Sequence, residues 1–445
     1  MNILIFDRPF TSAFTRLYRT VHGSGHSIRF VSDFKFRDDV GLVRLQYKHL
    51  RRSDVDLDRG LDYEVVARRC RYLRHQQPDL QKRLINSAWL AIDEIFQRCS
   101  PDAFVGLPMD NYYLDLVDQW CARNGTFAIN PVQSLLPQRT RVCRRGEYQR
   151  CRNVDTDEVA RYRAILCEPR FRPTWLSAQR SRAWLLRMYA REIAKRAFFR
   201  VAKTIKADPY SFHYNCVYPI GAAVRPLPAD LLTVKSLFVR SLDEVGRARE
   251  RHRAAVFLPL QFTPESSLDY NIPDSRFTQY GALLDAVLSG LPSDVLLIVK
   301  EHPDMYGYRS AAFFERFARR SNVVIADVDI TVQQIFDLCE YVLVTGSAST
   351  GVEALVKRKT VISLGGAFYG GGNTIHEILD FDGISNWAAS LSPIHNTEER
   401  IDSSVRKILS NTIVGTYDFV RVRGARQWKA RRTARAIMDY VIANA

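Results

Sequence analysis

Five short apolar runs in the second half of the chain, 254–260, 295–299, 323–325, 341–345 and 360–364, constrain the fold more than any other feature. The text between them is helical in pattern, near 275–288, 310–319, 332–338 and 351–356. Strands that alternate with helices imply a parallel, doubly wound α/β sheet. The first half opens in the same way, with a strand at 2–6, a helix over about 11–21, a turn His22-Gly-Ser-Gly-His26 and a strand at 28–32. Gly23 and Gly25 follow that helix instead of opening it, so they read as its C-cap and not as a dinucleotide fingerprint.

An Arg-rich helical stretch over 62–99, a strand at 103–107, a helix at 113–124 and a strand at 126–130 continue this first domain. At 445 residues the chain exceeds what one hydrophobic core serves. We expect an N-terminal Rossmann-like domain over 1–235, which carries a basic helical insertion at about 178–206. A second Rossmann-like domain follows over 236–424, and a helix over 425–445 crosses back to the first. Two such domains with a ligand cleft between them describe a GT-B-like architecture.

The charge balance is unusual. Lys plus Arg number 64 against 48 Asp plus Glu, a net of +16, which favours an anionic partner. Between Ser177 and Lys206 nine cations stand against one acid, Glu192, with Trp184, Leu185, Tyr189, Ile193, Phe198 and Val201 interleaved. That pattern fits an amphipathic helix on an anionic membrane, or equally a solvated face over a core stripe. No window approaches 18 uninterrupted apolar residues, and the opening MNILIFDRPF meets charge at Asp7 and Arg8, so a cytoplasmic protein is expected. The eight cysteines include no C-x-x-C pair, and reduced thiols are expected, with neither a zinc site nor a disulfide framework.

Ligands of open parallel sheets sit beyond the carboxyl ends of strands. Three such places are chemically loaded. Gln261-Phe-Thr-Pro-Glu265-Ser-Ser267 presents an amide, a carboxylate and hydroxyls, although a Ser- and Pro-containing loop needs no function. Lys300-Glu-His302-Pro303 offers a cation and an imidazole suited to holding or protonating a phosphate. Thr345-Gly346-Ser347-Ala-Ser349-Thr350 enters a helix whose amides point at any bound anion, and Glu353 follows one turn later. The Gly-Lys-Ser/Thr ending of a nucleotide-hydrolysing loop is absent from it. In the first domain Asp110 and Asn111 follow a strand and either face the cleft or cap a helix. Asp327-Val-Asp329 reads as the cap of the next helix, and no metal or other cofactor is expected.

The order and spacing of these three motifs, followed by Gly365-Gly-Ala-Phe-Tyr369, resemble the bacterial capsule polysaccharide biosynthesis family, most densely over 254–370. That family includes β-Kdo transferases, which take Kdo from CMP-Kdo. The resemblance implies that His302 and Pro303 contact the cytidine monophosphate and assist its departure, with Gln261 beside the reacting end. From their places after the strands, Lys300, Gly346, Ser347, Ser349, Thr350 and Glu353 are expected to bind the donor, with Asp110 and Asn111 on the acceptor side. In the β-Kdo members an aspartate four residues after the Gln attacks the sugar. Here that position is Glu265, one methylene longer, and Asp269 is a second carboxylate nearby.

The resulting expectation is a glycosyltransferase, peripheral on an inner membrane, that moves a CMP-linked sugar to a lipid-linked or oligosaccharide acceptor of a bacterial capsule or lipopolysaccharide. An inverting course with Glu265 as base and His302 as acid stays open. A basic nucleic-acid-binding protein is the non-enzyme alternative, and no nucleic-acid module is legible in the text.

Overall fold

The computed structural model describes residues 1–21, 25–35, 39–168, 171, 182–215, 233–305, 308–371, 373–418 and 427–445. Gly23, residues 178–181, Cys216, most of the expected linker and residues 425–426 lie outside them. The chain divides into two compact units, the first made of Met1–Asn153, Arg196–Val217 and Ser410–Ala445, the second of Val154–Lys195 and Tyr218–Leu409.

In unit 1, strands β1 (Asn2–Phe6), β2 (Ser27–Val31), β3 (Ala103–Val105) and β4 (Phe127–Ile129) form a parallel sheet in the order β2-β1-β3-β4. Helices α1 (Ser12–Val21), α2 (Leu42–Leu50), α3 (Tyr63–Arg69), α4 (Pro78–Cys99) and α5 (Tyr112–Asn124) fill the connections. A second, antiparallel sheet has the order β13-β6-β5, from β5 (Val132–Gln133), β6 (Arg139–Arg141) and β13 (Thr412–Val414).

The division moves two boundaries away from those drawn on sequence. Helix α6 (Thr156–Cys167) goes with unit 2, where the Lys357 ammonium donates to the Cys167 carbonyl at 3.3 Å and Arg163 pairs with Asp402. The segment 410–418 goes with unit 1 because β13 pairs with β6. The Asn411 side chain seals that junction, donating to the carbonyls of Val142 at 2.7 Å and Gln149 at 2.6 Å and accepting from Arg141 Nε at 2.8 Å. Helix α7 (Arg182–Ile205) contributes to both units, changing at Lys195/Arg196. The last helix, α14 (Gln427–Asn444), turns Ala430, Ala434, Ile437, Met438 and Val441 into the unit 1 core against Phe14, Leu17 and Tyr18. Their spacing of three and four residues is one helical stripe.

Unit 2 is the larger α/β layer. After α8 (Leu242–Glu250), the strands β7 (Ala254–Pro259), β8 (Val295–Lys300), β9 (Val323–Ala326), β10 (Tyr341–Thr345), β11 (Thr360–Leu364) and β12 (His376–Ile378) form one parallel sheet. Its order is β12-β11-β10-β7-β8-β9. Helices α9 (Tyr280–Ser289), α10 (Ala311–Ala318), α11 (Val332–Phe336), α12 (Ser349–Val356) and α13 (Glu398–Ser410) complete it. Both units are therefore doubly wound and parallel, the GT-B-like class expected from the alternation. The chain runs from β7 outward to β9 and then returns to the other side of β7, so the strand order switches between β7 and β10. The seven described cysteines are free thiols. No helix among the described residues is long and apolar enough to cross a membrane.

The unit 2 core closes on Trp387, fully buried, whose indole N–H donates to the Val287 carbonyl at 2.8 Å. Its ring also lies close to Gly290, where an added Cβ would meet the Ser385 carbonyl oxygen at 2.1 Å. Trp387→Ala removes both the packing and the donor, and should cost about 3–5 kcal/mol. Chemical denaturation followed by circular dichroism checks this; a loss below about 1 kcal/mol would show that the site repacks.

Candidate active site

The switch point of unit 2 places two loops side by side, one leaving β7 and one leaving β10. The last ladder bond of β7 and β8 runs from the Leu260 amide to the Lys300 carbonyl at 2.8 Å. Beyond it the loop is organised by side chains. Gln261 Nε2 donates to Glu265 Oε2 at 2.9 Å and approaches Ser267 Oγ at 3.1 Å, and that hydroxyl donates to the same carboxylate oxygen at 2.8 Å. Glu265 is half-buried, and its extended backbone leads into the helical turn Ser266–Asp269. Asp269 is buried within that turn, so Glu265 and not Asp269 is the presented carboxylate.

The β8 loop brings His302 to the same place. Its ring meets the Phe262 ring edge-on at 5.5 Å, and its amide donates to Glu301 Oε1. Pro303 starts a single 3-10 turn that ends at Met305. Lys300, by contrast, is turned inward. Its ammonium donates to the carbonyls of Asp327 at 3.1 Å and Val328 at 2.8 Å, and burial lowers its pKa to about 8 despite Asp327 and Asp329. Successive strand residues point to opposite faces, and Lys300 is the last residue of β8. The phosphate role read from the sequence therefore has no cation at Lys300 to supply it. Asp327 also departs from its expected role: its carboxylate accepts from the Asp329 amide at 3.1 Å, and Thr331 caps α11 in a box with Gln334. Among the described residues no group of acids, histidines or cysteines could hold a metal ion.

The β10 loop is shaped by close packing. Gly346 has φ +56° and Gly365 φ +91°, and an added Cβ would meet Ile272 side-chain carbons at 3.3 Å and 2.7 Å respectively. Ile272, just past the Gln261 loop, thus wedges the two loops together, and only glycine fits either position. Ser347 Oγ is occupied by the Phe368 amide at 3.0 Å. Tyr369 crosses the start of α12 and donates to the Ala348 carbonyl at 3.2 Å. The N-cap residue of α12 is Ala348, which provides no side-chain acceptor. The Gly351 amide turns back onto the Ala348 carbonyl at 3.0 Å, which leaves the Ser349 and Thr350 amides of the first turn without a capping side chain, with the half-buried Ser349 and Thr350 hydroxyls beside them.

Glu353 lies four residues further, on the same face as Ser349. It is 9 % exposed, and no hydrogen bond or ion pair holds its carboxylate among the described residues. Burial alone raises its pKa to about 7. An unpaired carboxylate there is a cost the folded protein bears.

Asp110 and Asn111 belong to a different cluster, in unit 1. Arg8, two residues past β1, spans Asp33 and Asp110 at 2.7 Å each. Asn111 caps α5 by accepting from the Leu114 amide at 3.1 Å and donates to Asp33. His213 comes within 2.9 Å of Asp33. Burial works to raise the Asp33 pKa, yet Arg8 and His213 hold it well below the usual carboxylate range. Asn111 is fully buried, which leaves Asp110, with about a quarter of its side chain exposed, as the accessible member. Ile272, Tyr280, Glu301 and Arg309 complete the unit 2 site; the motifs flag only the position of Glu301, inside Lys300-x-His302.

Residues 234–380 match the family model described as capsule polysaccharide biosynthesis protein, the resemblance read from the motifs. A search of curated proteins returns no match. Among solved structures, the β-Kdo 2,4 transferase KpsC of Thermosulfurimonas dismutans aligns at 12% identity and TM-score 0.32, over 69% of this chain and 79% of that one. A glycosyltransferase from Rickettsia africae aligns at 10% identity and TM-score 0.28, over 100% and 99%. Anabaena HepE in complex with UDP and glucose aligns at 13% identity and TM-score 0.25, over 100% of both chains.

Glu353 yields a pH prediction. Its folded pKa of about 7 stands above the ordinary glutamate value of 4.5, so the folded state binds more protons between those values and stability falls as pH rises from 4.5 through 7. Glu353→Gln removes that loss. It should raise the melting temperature of the ligand-free protein by several degrees at pH 8, corresponding to roughly 3 kcal/mol, and leave it nearly unchanged at pH 4.5. Equal shifts at both pH values would detach the effect from ionisation.

Proposed function

With residues 234–380 matching the capsule polysaccharide biosynthesis proteins, we propose that the chain is a glycosyltransferase of bacterial surface-glycan synthesis, using a nucleotide-sugar donor bound by unit 2. The observation that carries this reading is the pairing of an uncapped helix start with the buried, unpaired Glu353 at the switch point. Amides at a helix N-terminus suit a phosphate, and a carboxylate on the next turn suits ribose hydroxyls. Ser349 and Thr350 add hydroxyl donors, and Gly346 lets the backbone approach. The donor expected is CMP-Kdo. Its support is the motif series, in which Gln261, Glu265, His302 and Pro303 stand in the order that the resemblance implies.

In the retaining course, the Glu265 carboxylate displaces CMP from the anomeric carbon, and an acceptor hydroxyl then displaces Glu265. His302 supports the departing phosphate oxygen. The hydrogen bonds from Gln261 and Ser267 orient the carboxylate for that attack. The inverting course uses the same residues with Glu265 as base and His302 as acid. Proton NMR of the product anomer separates the two, retention with a trappable Glu265 adduct favouring the first. In either course His302→Ala should lower turnover by at least a hundredfold with the melting temperature kept; wild-type turnover would remove His302 from the mechanism. A panel of CMP-, UDP- and GDP-sugars, read by thermal stabilisation, tests the donor, since a tight ligand raises the melting point by mass action. No stabilisation by any CMP-sugar would sink the Kdo assignment.

The acceptor is assigned to unit 1, through Asp110 and the exposed Phe10, whose ring lies against Arg8, the partner of Asp110. A membrane role is favoured by one further observation. On α7, Phe198, Val201 and Ile205 are 65, 57 and 73% exposed and share one stripe, with Arg187, Arg191 and Arg200 also exposed. An apolar stripe among cations suits the surface of an anionic bilayer. Replacing Arg187, Arg191, Lys195 and Arg200 by Gln should weaken binding to phosphatidylglycerol vesicles at least tenfold and spare activity on a soluble acceptor. Unchanged vesicle binding would refute that role.

A further inference from the structure

We propose that Arg309 is a positioning residue which locks the Gln261 loop to the His302 loop and so fixes the direction in which Glu265 is presented. The proposal rests on the reading of Gln261, Glu265 and His302 as the reacting end of the site. Its starting point is the main chain of Gln261, one residue beyond the last ladder bond of β7. Its N–H donates to the Tyr280 hydroxyl at 2.7 Å, and its C=O accepts from Arg309 Nη2. Both polar groups that the sheet no longer satisfies are therefore held by side chains from outside the loop.

The same guanidinium reaches two further groups. Its Nη2 donates to Thr263 Oγ1 at 3.2 Å, still within the Gln261 loop. Its Nη1 donates to Glu301 Oε1, and that oxygen also accepts the His302 amide. One planar cation thus ties the peptide of Gln261 to the peptide of His302. The rings of Phe313 and Tyr280 flank it, with centroids 4.8 Å and 5.5 Å from the guanidinium carbon. A lysine could not reproduce this geometry, because its ammonium is a point charge and not a fork of fixed donors.

Stability alone does not account for the arrangement. The Arg309 and Glu301 side chains are 6% and 1% exposed, and a buried ion pair gains little over well-packed apolar residues. Glu301 Oε2 has no hydrogen-bond partner among the described residues, so the pair is not even fully satisfied. Burial pushes the Glu301 pKa up, against the pull of Arg309. What the pair does achieve is geometric. Reacting groups must be held to about half an ångström, and the Gln261 side chain that orients Glu265 hangs from the peptide that Arg309 and Tyr280 grip. The charge of Arg309 is spent on that grip.

The test uses the full chain and three variants: Arg309→Lys, Tyr280→Phe, and the double change Arg309→Met with Glu301→Gln. The double change is needed because removing Arg309 alone strands the Glu301 charge and threatens the fold. Two readouts are taken. Hydrogen exchange by mass spectrometry should rise at least tenfold in peptides covering 260–267 and 300–305 in the double variant, with the β7–β11 strands unchanged. With CMP-Kdo as the probe donor, kcat should fall about a hundredfold in the double and Lys variants and about tenfold in Tyr280→Phe, with KM within threefold of wild type. Unchanged exchange over 260–267 overturns the proposal, and so does exchange that rises uniformly across unit 2, the mark of a merely structural pair. Unchanged kcat in the double variant also overturns it. If the wild type transfers no sugar from any nucleotide donor, the functional reading fails, and the exchange measurement alone then decides whether the clamp exists.

Discussion

The reversal of strand order between β7 and β10 is the constraint on which the rest of unit 2 depends. At that point the chain leaves neighbouring strands toward opposite directions, and the carboxyl edge opens between the two departing loops. The loops must still pack at their bases, and here one apolar side chain does so. Ile272 presses on Gly346 and Gly365 at distances that leave no room for a Cβ at Gly365. Gly351 is under similar pressure, since an added Cβ would meet the Tyr369 hydroxyl at 2.0 Å. Gly346 and Gly365 in the loops and Gly351 in α12 are therefore consequences of packing, and the start of α12 is placed by it. Sequence to local structure and local structure to site are linked through one residue that no motif contains.

The cations of the site follow a second logic. Lys300 and Arg309 both stand where a nucleotide phosphate would attract positive charge, and both are buried and committed to protein oxygens. Under the proposed function, anion recognition would fall to backbone amides, which are fixed by the helix and need no side-chain entropy to hold in place. The surplus of +16 is carried elsewhere, in part on the exposed Arg187, Arg191 and Arg200 of α7. Charge in this protein thus separates into an internal share that fixes loops and an external share that meets the surroundings.

How much was legible in the sequence depends on the range of the interaction concerned. Apart from β12, whose His-Glu-Ile carries no apolar run and is not read from the sequence, the parallel strands of both units read as apolar runs, and their limits agree to within two residues because buried strands allow few polar positions. The antiparallel sheet was not legible. Arg139-Thr-Arg141 carries no apolar run, and its partner Thr412–Val414 lies some 270 positions away, so only the fold brings Asn411 to Val142. At the site, Gln261, Glu265 and His302 could be found because each follows a strand. Tyr280 and Ile272 could not, since their roles come from the return of α9 and its entry loop onto the β7 loop. Lys300 and Asp327 were misjudged for one reason: the motif gives the residue, and the pleat and the turn decide where its polar end goes.

The carboxyl edges of the two sheets treat buried charge in opposite ways, and the contrast bears on where ligand recognition resides. In unit 1 the residues beyond β1, β2 and β3 neutralise one another: Arg8 takes both Asp33 and Asp110, while Asn111 and His213 supply Asp33 with further partners. Arg8 and His213 hold the Asp33 carboxylate well below the usual carboxylate range, and the charges of the cluster offset one another. In unit 2 the corresponding edge keeps Glu353 buried without a partner and α12 without a side-chain cap. Both features oppose stability in the free protein, the first by desolvation of a carboxylate and the second by leaving amides unmatched. A ligand that brings an anion to the amides and hydroxyls to the carboxylate relieves both together. The affinity of such a ligand would then come partly from the relief of costs already present in the empty site.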